Sequence, residues 1–450
     1  MATLDSSIVN VALPTISKQL YSNLSSLQWV VTAYLLTISS LLPVFGRIAD
    51  LLGRKKIYSL GFLVFTLGSI LCGLAQSLGF LIGMRVLQAV GASMLMSNGV
   101  AIVTAVFPPQ ERGRALGLTG TVVALGSLTG PALGGILIGL SSWHFIFFIN
   151  LPIGLIGFVM ARLILPIDKP KKEKEDFDFA GAILFSSGMI SLLLGINNGE
   201  DWGWSSFPII TSIILGLILL TVFAVVERRV QHPMIDFSMF RSRPFLIGNL
   251  SGWLCFVAMF ANTMLLPFYL QQILLYTPSQ VGLLMTVFPI TMAIVAPLSG
   301  NASDKFGPMI LTTTGLGIIA LGLFYFSTLT PSTQFYQVIP GSLLMGLGSG
   351  MFQSPNNSSV MSSVPRQKLG VAGGINSLVR NVGMITGIAF SVSLFEALGG
   401  ETAPQPGQTA AFMFAYHTVM LVAMAIAIFA AFISLNRKSY SKSDSPHPEQ

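Results

Sequence analysis

GRIADLLGRKK, residues 46–56, is a basic stretch held between two apolar runs. A second stretch, GNASDKFGP at 300–308, keeps the same skeleton. Gly46, Asp50 and Gly53 in the first correspond to Gly300, Asp304 and Gly307 in the second. Each skeleton follows the second apolar run of a set of six. A feature recurring at the same place in two sets marks an internal duplication, the architecture of many secondary transporters.

The composition around these stretches sets the class. Hydrophobic residues make up 52% and charged residues 9%, with a mean hydropathy of +0.75. A soluble domain carries about 25% charged residues, so this chain cannot cover a globular surface with polar groups. The reading is an all-α integral membrane protein, since the weak ten-residue dyads of an outer-membrane barrel are absent. About 20 mainly apolar residues cross the hydrocarbon core. Fourteen runs qualify: 2–20, 28–46, 57–76, 80–106, 115–139, 146–165, 179–197, 208–226, 245–270, 279–299, 308–328, 335–360, 369–396 and 410–435. The predicted organisation is a six-helix half at 1–166, a loop with two inserted helices at 167–243, a second six-helix half at 244–436, and a polar tail at 437–450.

The basic residues give the orientation. Twenty of the 24 fall in even-numbered connections and the tail. They include Arg54, Lys55 and Lys56, the loop lysines Lys169, Lys171, Lys172 and Lys174, then Arg366, Lys368, Lys438 and Lys442. By the positive-inside rule that side is cytoplasmic, with both termini there, in the cytoplasmic (inner) membrane. The +7 net charge is thus a topology signal, and nucleic acid is not an expected partner. The opening MATLDSS lacks a basic n-region and a cleavage site, which excludes a signal peptide. Cys72 and Cys255 lie far apart in apolar runs, so no disulfide framework is expected. His232, His417 and His447 have no ligand partners at metal spacing, and no metal site is expected. There is no Walker motif, so ATP is not the expected energy source, and no nucleophile–base constellation suggests an enzyme.

The motifs together resemble the major facilitator superfamily, in its fourteen-helix drug:proton antiporter branch. LDSSIVNVALP at 4–14 resembles the first-helix signature of that branch, and GRIADLLGRKK the loop motif of the superfamily. Arg85, Gln88 and Gly91 in RVLQAVGA resemble its fourth-helix motif. GSLTGPALGG at 126–135 resembles the antiporter motif, with Gly126, Gly130, Pro131, Gly134 and Gly135. WHFIFFINLPIG follows, with Trp143-His144 where the branch usually shows Trp-Arg. The resemblance implies a monomeric antiporter without cofactor, driven by the proton gradient, that exports small amphipathic compounds by alternating access. A facilitator dedicated to one metabolite, siderophore or antibiotic is the alternative. A transport-inactive sensor or scaffold is a further one.

Physical chemistry ranks the residues within those motifs. Asp5, Arg85 and Arg380 are ionisable groups inside apolar runs, costly in hydrocarbon and functional candidates by default. Asp5 is the expected proton carrier, facing a cavity, with Arg85 as its cation; the rival is a fixed structural pair. Only four residues precede Asp5, about 6 Å of helix, so helix 1 reads as truncated at its start. Asp50 is expected at the start of helix 3, where a carboxylate suits the helix dipole. With Gly46, Gly53, Arg54 and Asp304 it forms either a cytoplasmic latch between the halves or a basic topology loop. Gly126, Gly130 and Gly134 share one helix face and permit close packing; the functional reading adds an outer seal between halves. Gln88, Gln353, Asn356, Asn376 and Arg380 are candidate cavity residues, with interhelical hydrogen bonding as the other reading. The 20 Met and 32 Phe suit either a promiscuous pocket or ordinary core and lipid contact.

Overall fold

A computed structural model describes residues 1–107, 112–166, 178–229, 235, 237–365, 369–400 and 408–437. Lys169, Lys171, Lys172 and Lys174, then Arg366, Lys368, His232 and the tail beyond Arg437, lie outside them, as do the side chains of Arg112, Arg114 and Asp304. Fourteen long helices account for nearly all of the described chain: α1 (Ala2–Gln19), α2 (Leu24–Leu52), α3 (Arg54–Gly73), α4 (Leu78–Val106), α5 (Arg112–Leu140), α6 (Asn150–Ile164), α7 (Phe179–Asn197), α8 (Phe207–Glu227), α9 (Arg243–Phe268), α10 (Pro278–Phe306), α11 (Pro308–Phe326), α12 (Ile339–Ser362), α13 (Leu369–Ala397) and α14 (Thr409–Leu435). Among the described residues, eleven spans are long and apolar enough to cross a membrane. Of the other three, α1 and α12 carry polar residues such as Asp5 and Asn356-Asn357 among their apolar ones, and α5 includes the apolar stretch Leu128–Leu140.

Local chemistry sets the ends. Asn23 caps α2 by accepting from the Ser26 amide at 2.9 Å. Thr277 and Gln280 form a capping box at the start of α10. Both α2 and α10 run on past their apolar stretches until a glycine stops them. Gly53 (φ 99°) and Gly307 (φ 83°) adopt a backbone conformation that other residues reach only under strain. The expectation for Asp50 is corrected here. It lies in the last turn of α2, where the helix dipole disfavours a carboxylate. Arg54, the first residue of α3, supplies the compensating cation: its Nη2 donates to Asp50 Oδ1 at 2.8 Å.

The packing repeats between the two sets of six. Within the first, α1 packs on α5, α2 and α3 on α4, and α3 on α6. Within the last, α9 packs on α13, α10 and α11 on α12, and α11 on α14. The two sets meet at two seams, α2 with α13 and α5 with α10, which exchange under the same correspondence. The inserted helices α7 and α8 pack on each other, and α7 rests on both α2 and α13. α8 is the outermost, with only 17% of its apolar window buried.

Hydrogen bonds cross between the sets at the end of the bundle opposite the Arg54–Lys56 turn. Gln271 donates from Nε2 to the Val11 carbonyl at 3.1 Å, and Thr15 donates to Gln271 Oε1 at 3.4 Å. The Ser25 amide donates to Glu396 at 3.0 Å. Ser279 donates to the Gly135 carbonyl at 3.0 Å. These contacts close that end over a central cavity.

Candidate functional site

The cavity lies between the two sets and has a volume of about 280 Å³. α1 contributes Thr3, Ser6, Ser7 and Asn10 to its wall, and α2 contributes Tyr34. Six methionines line it: Met96, Met259, Met285, Met292, Met345 and Met384. Phe256, Phe260 and Phe288 add aromatic surface. The polar groups on the opposite wall are Asn262, Thr263, Ser342, Gln353, Arg380 and Asn381. An apolar pocket with a few placed polar groups is the usual form of a small-molecule site.

Asp5 does not line this cavity. It points the other way from α1, into the first six helices, and is fully buried. Three side chains converge on its carboxylate. Arg85 donates from Nη1 to Oδ2 at 2.5 Å, Gln88 from Nε2 to Oδ1 at 2.8 Å, and Asn150 from Nδ2 to Oδ1 at 3.0 Å. Ser69 joins the network, its hydroxyl receiving hydrogen bonds from Gln88 at 3.1 Å and Asn150 at 3.0 Å. Arg85 also donates from Nε to the Val30 carbonyl at 3.0 Å and from Nη1 to Gln88 Oε1 at 2.7 Å. A buried carboxylate and guanidinium are tolerable because their hydrogen-bonding capacity is so largely met. Gly68 makes the arrangement possible: a Cβ there would stand 2.6 Å from the Gln88 backbone. Its absence lets α3 and α4 approach until Ser69 reaches Gln88.

Tyr34 stands between the two regions. Its ring centroid is 4.0 Å from the Arg85 guanidinium carbon, and the same side chain lines the cavity. Sequence reading overlooked Tyr34, Ser69 and Asn150.

The remaining candidates separate. Gln353 and Arg380 line the cavity. Gln88 belongs to the Asp5 network. Asn356 is buried and accepts from Arg437 Nη2 at 2.5 Å. Burial pushes the Arg437 guanidinium down to about 10. Asn376 donates to Asn357 at 3.0 Å. The antiporter-like glycines divide by face. Gly126, Gly130 and Gly134 approach α1 at Thr3, Ser7 and Ile8, within one set. Gly135 faces the other set, where a Cβ would stand 2.6 Å from the Pro278 carbonyl and 3.1 Å from Gly282 Cα. Pro131 lines the cavity. Asp50 and Arg54 are each about one-third exposed, at 34% and 32%, and Arg54 Nη1 also donates to the Ala101 carbonyl at 3.1 Å; Gly46 approaches Ser97. All of these partners belong to the first set. His144 stacks on Trp143 with ring centroids 3.8 Å apart, and its Nε2 lies 3.1 Å from the Ala75 carbonyl.

The model for the Major Facilitator Superfamily matches residues 1–388 and 248–449. The chain belongs to that superfamily. It is therefore a multi-pass membrane transporter rather than an enzyme. It is 38% identical over 398 residues to the riboflavin transporter RibZ of Clostridioides difficile (strain 630), covering 88% of this chain and 85% of that one. It is 31% identical to the multidrug transporter protein MdtP of Bacillus subtilis (strain 168), covering 89% and 74%. It is 33% identical to the multidrug resistance protein Stp of Mycobacterium tuberculosis, covering 88% and 74%. A solved proton-dependent oligopeptide transporter superposes with a TM-score of 0.66 at 14% identity, over 96% and 95% of the two chains. The nucleoside transporter NupG superposes at 0.64 and 14% identity, over 96% of each. These two likenesses concern the fold alone.

Proposed function

We propose that this transporter exports small amphipathic compounds across the cytoplasmic membrane in exchange for protons, by alternating access. One observation carries the reading: a fully buried Asp5–Arg85 pair backs onto a cavity-lining ring, Tyr34. An intramembrane carboxylate with a single strong cation can exist in two charge states, and each sets a different geometry. With Asp5 ionised, Arg85 holds α1 to α4. A proton delivered to the Asp5 carboxylate neutralises it and replaces the ion pair with a weaker contact between a neutral carboxyl and the still-charged Arg85, which loosens that hold.

α1 transmits the change. Its Asp5 face enters the ion pair, while Thr3, Ser6, Ser7 and Asn10 line the cavity. Ser7 and Ile8 abut Gly130 and Gly134 of α5, whose Gly135 abuts Gly282 of α10. A contiguous path of packed backbone thus runs from the carboxylate to the seam between the sets. The proposed inventory is one small-molecule substrate, protons, the lipid bilayer, no ATP and no cofactor, in a monomer with both termini cytoplasmic. In that topology the closed end faces outward. The Gly46–Arg54 motif takes part as a latch, with Asp304 as its counterpart.

A second reading is a transporter dedicated to one flat aromatic metabolite. The 38% identity to a riboflavin transporter, against 31–33% to the multidrug relatives above, favours it.

Reconstitution in liposomes with an imposed pH gradient tests both. The expected result is dissipation of the gradient on adding drugs from a chemically varied panel, and none with Asp5→Asn. Response to riboflavin alone would select the second reading. Wild-type proton movement in Asp5→Asn would sink the role of Asp5.

A further inference from the structure

Arg380 differs from the other guanidiniums buried inside the bundle. Arg85 has the Asp5 carboxylate; Arg437, just beyond α14, gives Nη2 to Asn356 while its Nε and Nη1 are buried without a partner; neither of the two lines the cavity. Arg380 lines the central cavity, and its Nε is buried with no hydrogen-bond partner. It sits about 17 Å along α13 from Leu369, near mid-helix, at 1.5 Å per residue. Among the described residues no acidic side chain lines the cavity. The neighbouring Asn381 turns into the same wall, and its Nδ2 is also buried without a partner. Two adjacent donors, one of them cationic, thus face a cavity that offers no counter-charge.

A lone cation at this depth is expensive, and such groups are kept where they meet a substrate or an ion. The guanidinium fork matches a planar pair of oxygens and stays charged at neutral pH. A permanent cation entering the same cavity would meet repulsion at low dielectric, with no carboxylate in the wall to offset it. The rest of the wall, methionine and phenylalanine, suits an aromatic or alkyl body.

We propose that Arg380, aided by Asn381, is the specificity determinant of this transporter, and that its preferred substrates are amphipathic organic anions bearing a carboxylate or a comparable oxyanion. The inference rests on taking the cavity as the substrate site. It narrows the substrate class and selects against cationic drugs. When the anion is bound, the guanidinium donates two parallel hydrogen bonds to its oxygens and the Asn381 amide a third.

The test is equilibrium binding to purified protein in detergent, with three probes of one shape: 2-naphthoate, 2-naphthamide and 2-naphthylmethylammonium. Wild type should bind the carboxylate at least about tenfold more tightly than the ammonium, the scale of a charge-assisted bidentate contact. Arg380→Gln should bring that ratio to about one. Arg380→Lys, which keeps the charge but loses the fork, should fall between. Thermal unfolding of each variant checks that it is folded. A wild-type ratio of one or less, no carboxylate binding at millimolar concentration, or an unchanged ratio in folded Arg380→Gln would overturn the proposal. Binding in detergent needs no proton gradient. Failure of proton-coupled flux therefore leaves this result standing, and a lost anion preference leaves the flux assay standing.

Discussion

The ring of Tyr34 covers the guanidinium of Arg85 at 4.0 Å while the same residue forms part of the cavity wall. A substrate pressing on Tyr34 therefore presses, through one aromatic thickness, on the cation that holds Asp5. Coupling between two sites requires an element that both contact, and Tyr34 is placed to be one. A desolvated cation–π contact is worth about 2 kcal/mol, or about thirtyfold in an equilibrium. Tyr34→Ala should lower substrate-driven proton flux by at least about tenfold. Tyr34→Phe keeps the ring and should stay within about threefold of wild type. Equal losses in both variants would point to the hydroxyl instead.

Asp5 and Arg85 should be coupled in stability as well as in function. Removing one member of a buried pair strands the other and costs about 3–5 kcal/mol, whereas removing both can be close to neutral. Asp5→Asn should therefore lower the unfolding midpoint of the purified protein more than Asp5→Asn combined with Arg85→Gln. A double-mutant cycle by thermal unfolding measures the interaction. Additive effects would mean that the pair does not exist in solution.

The approach of α5 to α10 at Gly135 leaves no room for a side chain. Gly135→Val should wedge this seam apart. Ser279 lies against Gly135, so a Ser279→Cys reporter should react faster with a membrane-impermeant maleimide in the Gly135→Val background. Cys72 and Cys255 are buried and give a low background. Labelling of intact cells rather than inverted vesicles would assign this end to the outside.

The Asp50–Arg54 pair is one-third exposed, and such pairs contribute less than about 1 kcal/mol. Asp50→Asn should leave the unfolding midpoint within a few degrees of wild type. As a latch residue, Asp50 should nevertheless matter for turnover: transport should fall by about tenfold or more. Full transport by a stable Asp50→Asn protein would reduce the motif to a topology loop.

Parts of this arrangement were legible in the sequence, for identifiable reasons. Asp5 and Arg85 each carry a cost in hydrocarbon that the other relieves, so their pairing was a reasonable expectation from two isolated charges. Gln88 was expected in the cavity but sits on the carboxylate. Its spacing of three from Arg85 already placed both on one face of α4. The length of α2 was misjudged because hydropathy reports where hydrocarbon ends, whereas the helix continues until Gly53 reverses φ. Tyr34, Ser69 and Asn150 carry no such signal. A tyrosine or a serine in an apolar helix is unremarkable until the tertiary fold brings it to a charge. The methionines were ambiguous for the same reason: composition counts them, and only packing gathers six around one space.

The placement of α7 has a consequence for how molecules reach that space. It rests on α2 and α13 and screens their junction from the surrounding lipid, with α8 outside it. The α5–α10 junction has no such screen from the inserted pair. A two-fold machine has thus been given a front and a back. A hydrophobic compound diffusing sideways through the leaflet finds one fissure curtained and the other bare. Traffic from the bilayer should favour the bare side, even though the halves themselves are built alike.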